Sequence, residues 1–317
     1  MSNNEFAWAP KAWERAKGVP VWTEYFKEAV PAPAVPKDDI RNCTIQDPKV
    51  WGATFDDGPS QYTPDLLHFF QQINMHTTFY VVGSVAIKYP DIMRDTYKAG
   101  HEVGIHTWSH PRLTNLTDDE IVAELVYSAK AIHQVLGVVP KYFRPPFGGS
   151  DDRVRRVATT MGLTSVGYID TEDWKYWNDA AKIRPIVTGH FKDWISQSKT
   201  GYISLQHDVW KIEVDAAKES MNMLVKAGYT IKPIFECLGQ SSAYGNTILE
   251  RFFTSGQFEN KTTLISPPSP PSDNKPAFVV VPNGVSNATV VTTVTADARA
   301  FRVFWDLFLL AVLMAFL

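Results

Sequence analysis

Charge of one sign is what this 317-residue chain has least of: 31 Lys and Arg stand against 34 Asp and Glu, a net of −3, with no long run of either. A nucleic-acid partner calls for a basic face or stripe, so that class is set aside. Cysteine is nearly absent. The two present, Cys43 and Cys237, leave one possible bridge, which would staple the start of a domain to its end and suit an oxidising compartment. No apolar stretch occurs in residues 1 to 20, so no secretory signal is legible there. The longest apolar run is the C-terminal FRVFWDLFLLAVLMAFL, of which only 11 residues follow Asp306, too few to span a bilayer.

Aromatic residues, by contrast, are plentiful. Ten are Trp, a surplus that suits a carbohydrate-contacting surface, although ordinary core burial accounts for most of them. The length fits one large domain with extras. A Pro/Ser segment, SPPSPPSDNKP at 266–276, separates the apolar tail from any core it could join. Small residues at Ser286, Asn287 and Ala288, a spacer and then the short tail fit a GPI-attachment signal. A buried terminal helix or a single membrane anchor are the other readings. The GPI reading implies a secreted, lipid-anchored protein at the cell surface or wall, with the given start lacking its export signal. Glycosylation sequons at Asn42, Asn115, Asn260 and Asn287 lean the same way. The expected organisation is an N-terminal extension (1–40), a folded domain (41–240), a Ser/Thr/Pro-rich unstructured linker (241–300) and the tail (301–317), in a monomeric protein.

Within the domain, short apolar or β-branched runs recur: WGATF (51–55), TTFYVV (77–82), EVGIH (102–106), KYFR (141–144), TSVGYI (164–169), YISLQ (202–206) and YTIKPI (229–234). Helix-like stretches lie between most of them. The clearest spans 117–137, with Thr117 and Glu120 as a capping box, Ile121, Leu125, Ala129, Ile132 and Leu136 in helical period, and Gly137 closing its end. Seven strand signals alternating with helices predict a parallel β/α architecture, most simply a barrel.

The unusual polar groups all fall where these strands stop, the active-site end of such a fold. TFDDGPS (54–60) follows the first, HTWSH (106–110) the third, RPPFGG (144–149) the fourth, DTEDW (170–174) the fifth, and QHD (206–208) ends the sixth. His106 and His110 are spaced to reach one ion, and Pro111 disfavours helix at the second, so a loop is expected. No Glu lies between them, unlike the HExxH metalloproteases. Alone the pair is weak; with a carboxylate from another strand end it becomes a two-His-one-carboxylate site with open positions. A metal also rationalises two adjacent aspartates: Asp57 binds the ion and Asp56 stands beside it as a base. A plain polar turn would explain the aspartates but not the histidines.

TFDDGPS, HTWSH, RPPFGG, DTEDW and SLQH resemble, in the same order, the five motifs of the family four carbohydrate esterases, the NodB-homology polysaccharide deacetylases, with fungal chitin deacetylases as the nearest group. The resemblance covers roughly residues 45–238. It implies a distorted (β/α) barrel of about seven parallel strands and a divalent metal, usually zinc, with cobalt among the alternatives. The implied activity is hydrolysis of N-acetyl groups from chitin or chito-oligosaccharides, giving chitosan and acetate. Asp57, His106 and His110 are the implied ligands, Asp56 the base and His207 the acid. Arg144 is to orient Asp56, and Asp170 is to pair with His207. Trp174 and Leu205 are to wall the acetyl pocket, with Asp173 also in contact with substrate. Which of Asp170 and Asp173 meets His207 or Arg144 stays open, and Asp208 is a rival partner for His207. Phe147 stands where the family usually has tyrosine; its backbone N–H is to bind the oxyanion, while any contact of the phenol hydroxyl is lost. Removal of O-acetyl groups from xylan, action on peptidoglycan, and a catalytically silent chitin-binding wall protein are the alternative functions.

Overall fold

The computed structural model describes residues 6–259, apart from residues 46, 48 and 198–200. The Pro/Ser segment, the GPI-type signal and the sequons at Asn260 and Asn287 lie outside the described residues. Among the described residues eight parallel strands form one curled sheet: β1 (Val50–Asp56), β2 (Thr78–Val81), β3 (Glu102–Ile105), β4 (Tyr142–Phe143), β5 (Thr164–Ser165), β6 (Ile169–Asp170), β7 (Ile203–His207) and β8 (Thr230–Ile231). Their order is β5-β4-β3-β2-β1-β7-β6, with β8 paired to the first two residues of β1. All seven residues of β1 are buried, as expected for a parallel strand covered on both faces.

Among the described residues ten helices surround the sheet: α1 (Pro20–Ala29), α2 (Thr63–Gln72), α3 (Gly83–Ala86), α4 (Pro90–Lys98), α5 (Asp118–Leu136), α6 (Asp152–Thr160), α7 (Ala180–Gln197), α8 (Lys211–Lys226), α9 (Ile234–Cys237) and α10 (Thr247–Thr254). The capping box of α5 forms as the sequence predicts. Glu120 N donates to Thr117 Oγ1 at 3.3 Å, Thr117 N donates to the Glu120 carboxylate at 2.9 Å, and Gly137 closes the helix at φ 75°.

The run 164–169, read as one strand, is two strands on opposite edges of the sheet. β5 pairs with β4 and β6 with β7. Between them the chain crosses the open side of the curl, where the carbonyls of Val166 and Gly167 accept from the Arg144 guanidinium at 3.2 and 3.1 Å instead of from a neighbouring strand. This is what distorts the barrel. The DTEDW segment therefore leaves the sixth strand, and QHD ends the seventh. In the last run only Thr230–Ile231 is strand, because Pro233 lacks an N–H and starts α9.

Two boundaries move. Helix α1 lies within the N-terminal extension, yet Trp22 and Phe26 are fully buried against Tyr127, Phe252 and Phe258. Each such side chain contributes about 1.5–3 kcal/mol by burial. Helix α10 falls in the segment read as linker and buries Leu249, Phe252 and Phe253 in the same cluster. A second apolar cluster fills the inside of the curl, with Val50, Tyr80, Tyr142, Ile203 and Ile234. Cys43 and Cys237 are joined by a disulfide beneath it, Cα–Cα 4.8 Å, at the end away from the polar motifs. No described helix is long and apolar enough to cross a membrane.

Candidate active site

Asp56 is the last residue of β1, and Asp57 turns the chain with φ 73°. The Gly58–Pro59 bond that follows is cis. A Cβ on Gly58 would collide with the Asp208 carboxylate, which is fully buried and accepts from Thr63 Oγ1. Burial pushes the Asp208 carboxyl up to about 7. Asp208 thus packs under the aspartate turn and is not the partner of His207.

His106 and His110 sit on a loop after β3, with Thr107 at φ 66° and His110 at φ 59°. Two left-handed non-glycine residues in one short loop need outside support. Glu124, fully buried on α5, supplies it. Its carboxylate accepts from Trp108 N (2.9 Å), Ser109 N (2.8 Å) and Ser109 Oγ (2.7 Å), and from Ala16 N (2.8 Å) of the N-terminal segment.

His106 Nδ1–H donates to the Arg144 carbonyl at 2.8 Å. That leaves the Nε2 lone pair facing Asp57 Oδ1 at 3.4 Å, and His110 Nε2 lies 3.2 Å from the same oxygen. Asp57 Oδ1 is buried without a hydrogen-bond donor. Burial holds the His110 pKa down at about 4, so its ring is the neutral form that ligates. Burial opposes ionisation of Asp57, but the imidazoles of His110 and His106 outweigh it and hold its carboxyl well below the usual range. One ligand atom from each residue lies within 4.8 Å of the others. Lone pairs converging on an unpartnered carboxylate oxygen fit a divalent cation of the kind that takes nitrogen and oxygen ligands.

The neighbouring carboxylate has different company. Asp56 Oδ1 accepts from Arg144 Nη1 at 2.9 Å. The same nitrogen donates to Thr54 Oγ1, and the guanidinium lies 4.4 Å and 5.1 Å from the ring centres of Tyr80 and Tyr168. Burial raises the Asp56 pKa, with Arg144 opposing. His207, the last residue of β7, donates from Nδ1 to Asp173 Oδ1 at 2.8 Å, and its backbone N–H donates to Asp173 Oδ2 at 2.8 Å. Burial acts against protonation of His207, yet the Asp173 carboxylate outweighs it and raises the pKa well above the ordinary value.

Asp173, not Asp170, is therefore the partner of His207. Asp170 accepts instead from Glu172 N (2.8 Å) and Trp174 Nε1 (3.2 Å), because the 3-10 turn Asp173–Tyr176 carries Asp173 back under β7. Phe147 has φ 57° and its ring centre is 4.6 Å from that of His110. Trp174 is half-buried and Leu205 buried.

The sequence model for polysaccharide deacetylase matches residues 44–166, which include Asp56, Asp57, His106, His110, Arg144 and Phe147. Chitin deacetylase 1 of Cryptococcus neoformans var. grubii is 41% identical over 231 residues, covering 66% of this chain and 48% of that protein. Chitin deacetylase 2 of Saccharomyces cerevisiae is 35% identical over 216 residues, 65% of this chain and 67% of that protein. This chain belongs to the polysaccharide deacetylase family. The crystal structure of the chitin deacetylase from Colletotrichum lindemuthianum superimposes with a TM-score of 0.62 at 28% identity, covering 67% of this chain and 97% of that one. As a polysaccharide deacetylase the chain spans about half the length of the Cryptococcus protein. Its curled parallel sheet is the distorted barrel that the family resemblance implies.

Glu124 and Thr54 are members of this candidate site that sequence reasoning missed. For Glu124 a signal was present: a charged residue between Ile121 and Leu125, on the apolar stripe of α5. Thr54 carries none, since Thr is ordinary in a strand.

Proposed function

We propose that this polysaccharide deacetylase removes N-acetyl groups from chitin or chito-oligosaccharides with the help of a divalent ion held by Asp57, His106 and His110. The observation that carries the reading is Asp57 Oδ1, buried and without a donor, faced by two imidazole Nε2 atoms while Asp56 beside it is turned to Arg144. When bound, zinc, or another divalent ion such as cobalt, supplies a Lewis acid that polarises the acetamide carbonyl and acidifies water.

Asp56 takes the proton from water. Burial raises its pKa and so strengthens it as a base, and Arg144 with Thr54 fixes its direction. The Phe147 N–H donates to the carbonyl oxygen as charge builds there. His207, kept protonated by Asp173, delivers a proton to the nitrogen as the C–N bond breaks, because an amide leaves poorly as an anion. Trp174 and Leu205 wall the space for the acetyl methyl. Acetate and a free amine on the sugar result.

The Cys43–Cys237 disulfide supports work outside the reducing cytosol. A GPI anchor at the cell surface or wall is the companion proposal from the C-terminal tail. Acetate release from N-acetylglucosamine oligomers, peptidoglycan and acetylxylan, with chelator and then with added zinc, tests the reading. Release from chitin oligomers that stops with chelator is expected; no release from them under any condition overturns it.

A further inference from the structure

Tyr168 stands where the chain crosses the open side of the curl, between β5 and β6. Its backbone is pinned there. Gly167 N donates to the Ile40 carbonyl at 2.7 Å, and Arg41 Nη1 donates to the Tyr168 carbonyl at 3.1 Å. Side chains alternate along an extended segment. Val166 belongs to the inner apolar cluster and Ile169 packs against the outer one, so Tyr168 falls on the inner face together with Asp170. Asp170 pairs in register with Leu205 of β7 and accepts from Trp174 Nε1 at 3.2 Å. The Tyr168 side chain therefore starts from the edge of the sheet that carries Trp174 and Leu205.

It ends against the loop of the opposite edge. The ring centre lies 5.1 Å from the guanidinium of Arg144, the group that holds Asp56. The hydroxyl oxygen lies 3.3 Å from where a Cβ on Gly148 would stand, and Gly148 itself is at φ 60°. Gly148 directly follows Phe147, whose N–H is the proposed donor to the acetamide carbonyl. The phenol thus bridges the gap that strand pairing leaves, from the Trp174 and Leu205 side to the Phe147 side. It is half-buried, so part of the ring is left to the space between those two sides. A ring set against a guanidinium at one point and backbone at another has little room to retreat.

We infer that Tyr168 is the end wall of the acyl space and sets the length of the acyl group that is removed. An acetyl methyl fits in front of the ring, whereas an acyl chain longer by one or two methylenes runs into it. The inference rests on the deacetylase reading above and deepens it, because Tyr168 selects the acyl class and not the sugar. Its role is separate from that of Arg144. The guanidinium also keeps its bonds to Asp56, Val166 and Gly167, so shortening the Tyr168 side chain opens the space without removing the hydrogen bonds that aim the base.

The test measures kcat/KM on N-acetyl, N-propionyl and N-butyryl glucosamine oligomers of one length, for the zinc-loaded wild type, Tyr168→Phe, Tyr168→Leu and Tyr168→Ala. Wild type and Tyr168→Phe, which keeps the ring, are expected to favour acetyl. Tyr168→Ala should raise the propionyl-over-acetyl ratio by about tenfold or more, the usual worth of one methylene in a closed pocket. A merely structural role would lower both substrates alike and leave the ratio unmoved, and that result overturns the wall. Melting temperature and zinc content verify the fold, and Tyr168→Leu carries the test if Tyr168→Ala does not fold. Affinities for acetate, propionate and butyrate are measured in parallel by calorimetry, with no turnover required. A wild type that releases no acetate overturns the deacetylase reading. The wall then stands if shortening Tyr168 strengthens butyrate relative to acetate, and falls if it does not. A wild type that neither releases acetate nor binds any of the three carboxylates overturns both.

Discussion

Asp56 and Asp57 are bonded neighbours with different partners, and their carboxyls are driven in opposite directions. Asp56, buried against Arg144, is pushed up; Asp57, between His106 and His110, is held down. Separating two adjacent titratable groups in this way lets one serve as base and the other as ligand. His106→Ala removes one of three ligand atoms, so bound zinc measured by elemental analysis should fall away together with activity, while circular dichroism stays that of the folded protein. Full zinc content in that variant would show that the ligand set is wrong. Asp56→Asn should instead retain zinc and lose about 10²–10⁴-fold in kcat, the usual worth of positioned proton transfer. On the proposed mechanism, the Asp173–His207 pair sets the alkaline side of the activity profile. The acid must be protonated to act, and Asp173 raises its pKa, so activity persists until pH passes that raised value. Asp173→Asn should therefore move the alkaline limb of kcat/KM to lower pH. Asp170→Asn, whose carboxyl faces Trp174 and the Glu172 N–H, should leave the limb in place, and the reverse result would restore Asp170 as the partner.

At the scale of elements, each motif sits on a loop that a neighbouring helix or strand holds in place. The Asp57 turn rests on Asp208, the residue just after β7, and the His106–His110 loop rests on Glu124 from α5. Glu124→Ala would leave two backbone N–H groups of that loop without their partner, costing about 1–3 kcal/mol each. It should also weaken zinc affinity about 10–100-fold, as loss of support behind metal ligands does. Chelator competition measures the affinity, and an unchanged zinc affinity in a variant of lower melting temperature would reduce Glu124 to a purely structural role. The same residues show how far sequence reading reaches. Pro111 is enough to put His110 on a loop, because its effect is local. Which carboxylate meets His207 depends on how the 3-10 turn at 173–176 is pulled under β7, and no local pattern encodes that. The split of 164–169 into β5 and β6 is equally remote, since Arg144 from another strand captures the carbonyls between them.

Among the described residues, the barrel is closed at the end opposite the candidate site. Cys43 N donates to the Gly201 carbonyl and Thr44 N to the Cys237 carbonyl, both at 3.0 Å, so the disulfide lies where the chain enters and leaves the barrel. It closes a loop of 194 residues, and its removal should cost about 2–5 kcal/mol. A Cys43→Ser/Cys237→Ser variant is expected to show that loss in a urea titration while keeping zinc binding and kcat, because the bridge is far from Asp57. Equal loss of zinc affinity would mean that the two ends of the barrel are coupled. The outer core is shared in a way that the motif spacing did not suggest. Trp22 and Phe26 from the first 40 residues meet Phe252 and Phe258 from beyond residue 240 on the outer face of α5, so both flanks belong to the fold.

Taken alone, the sequence determined the parallel β/α alternation, the capped helix at 118–136, the end of the barrel where the polar motifs gather, the single possible disulfide, and Asp57, His106 and His110 as a group. Those features follow from local periodicity, from turn residues and from residue types whose chemistry has few other uses. Tertiary structure alone decided that Asp173 holds His207, that Glu124 and Asp208 support the loops, and that Arg144 spans the open side of the sheet. Each of these is a meeting of side chains far apart in the chain, fixed by packing and by the need to satisfy buried polar groups, and neither requirement leaves a periodic trace in the order of residues.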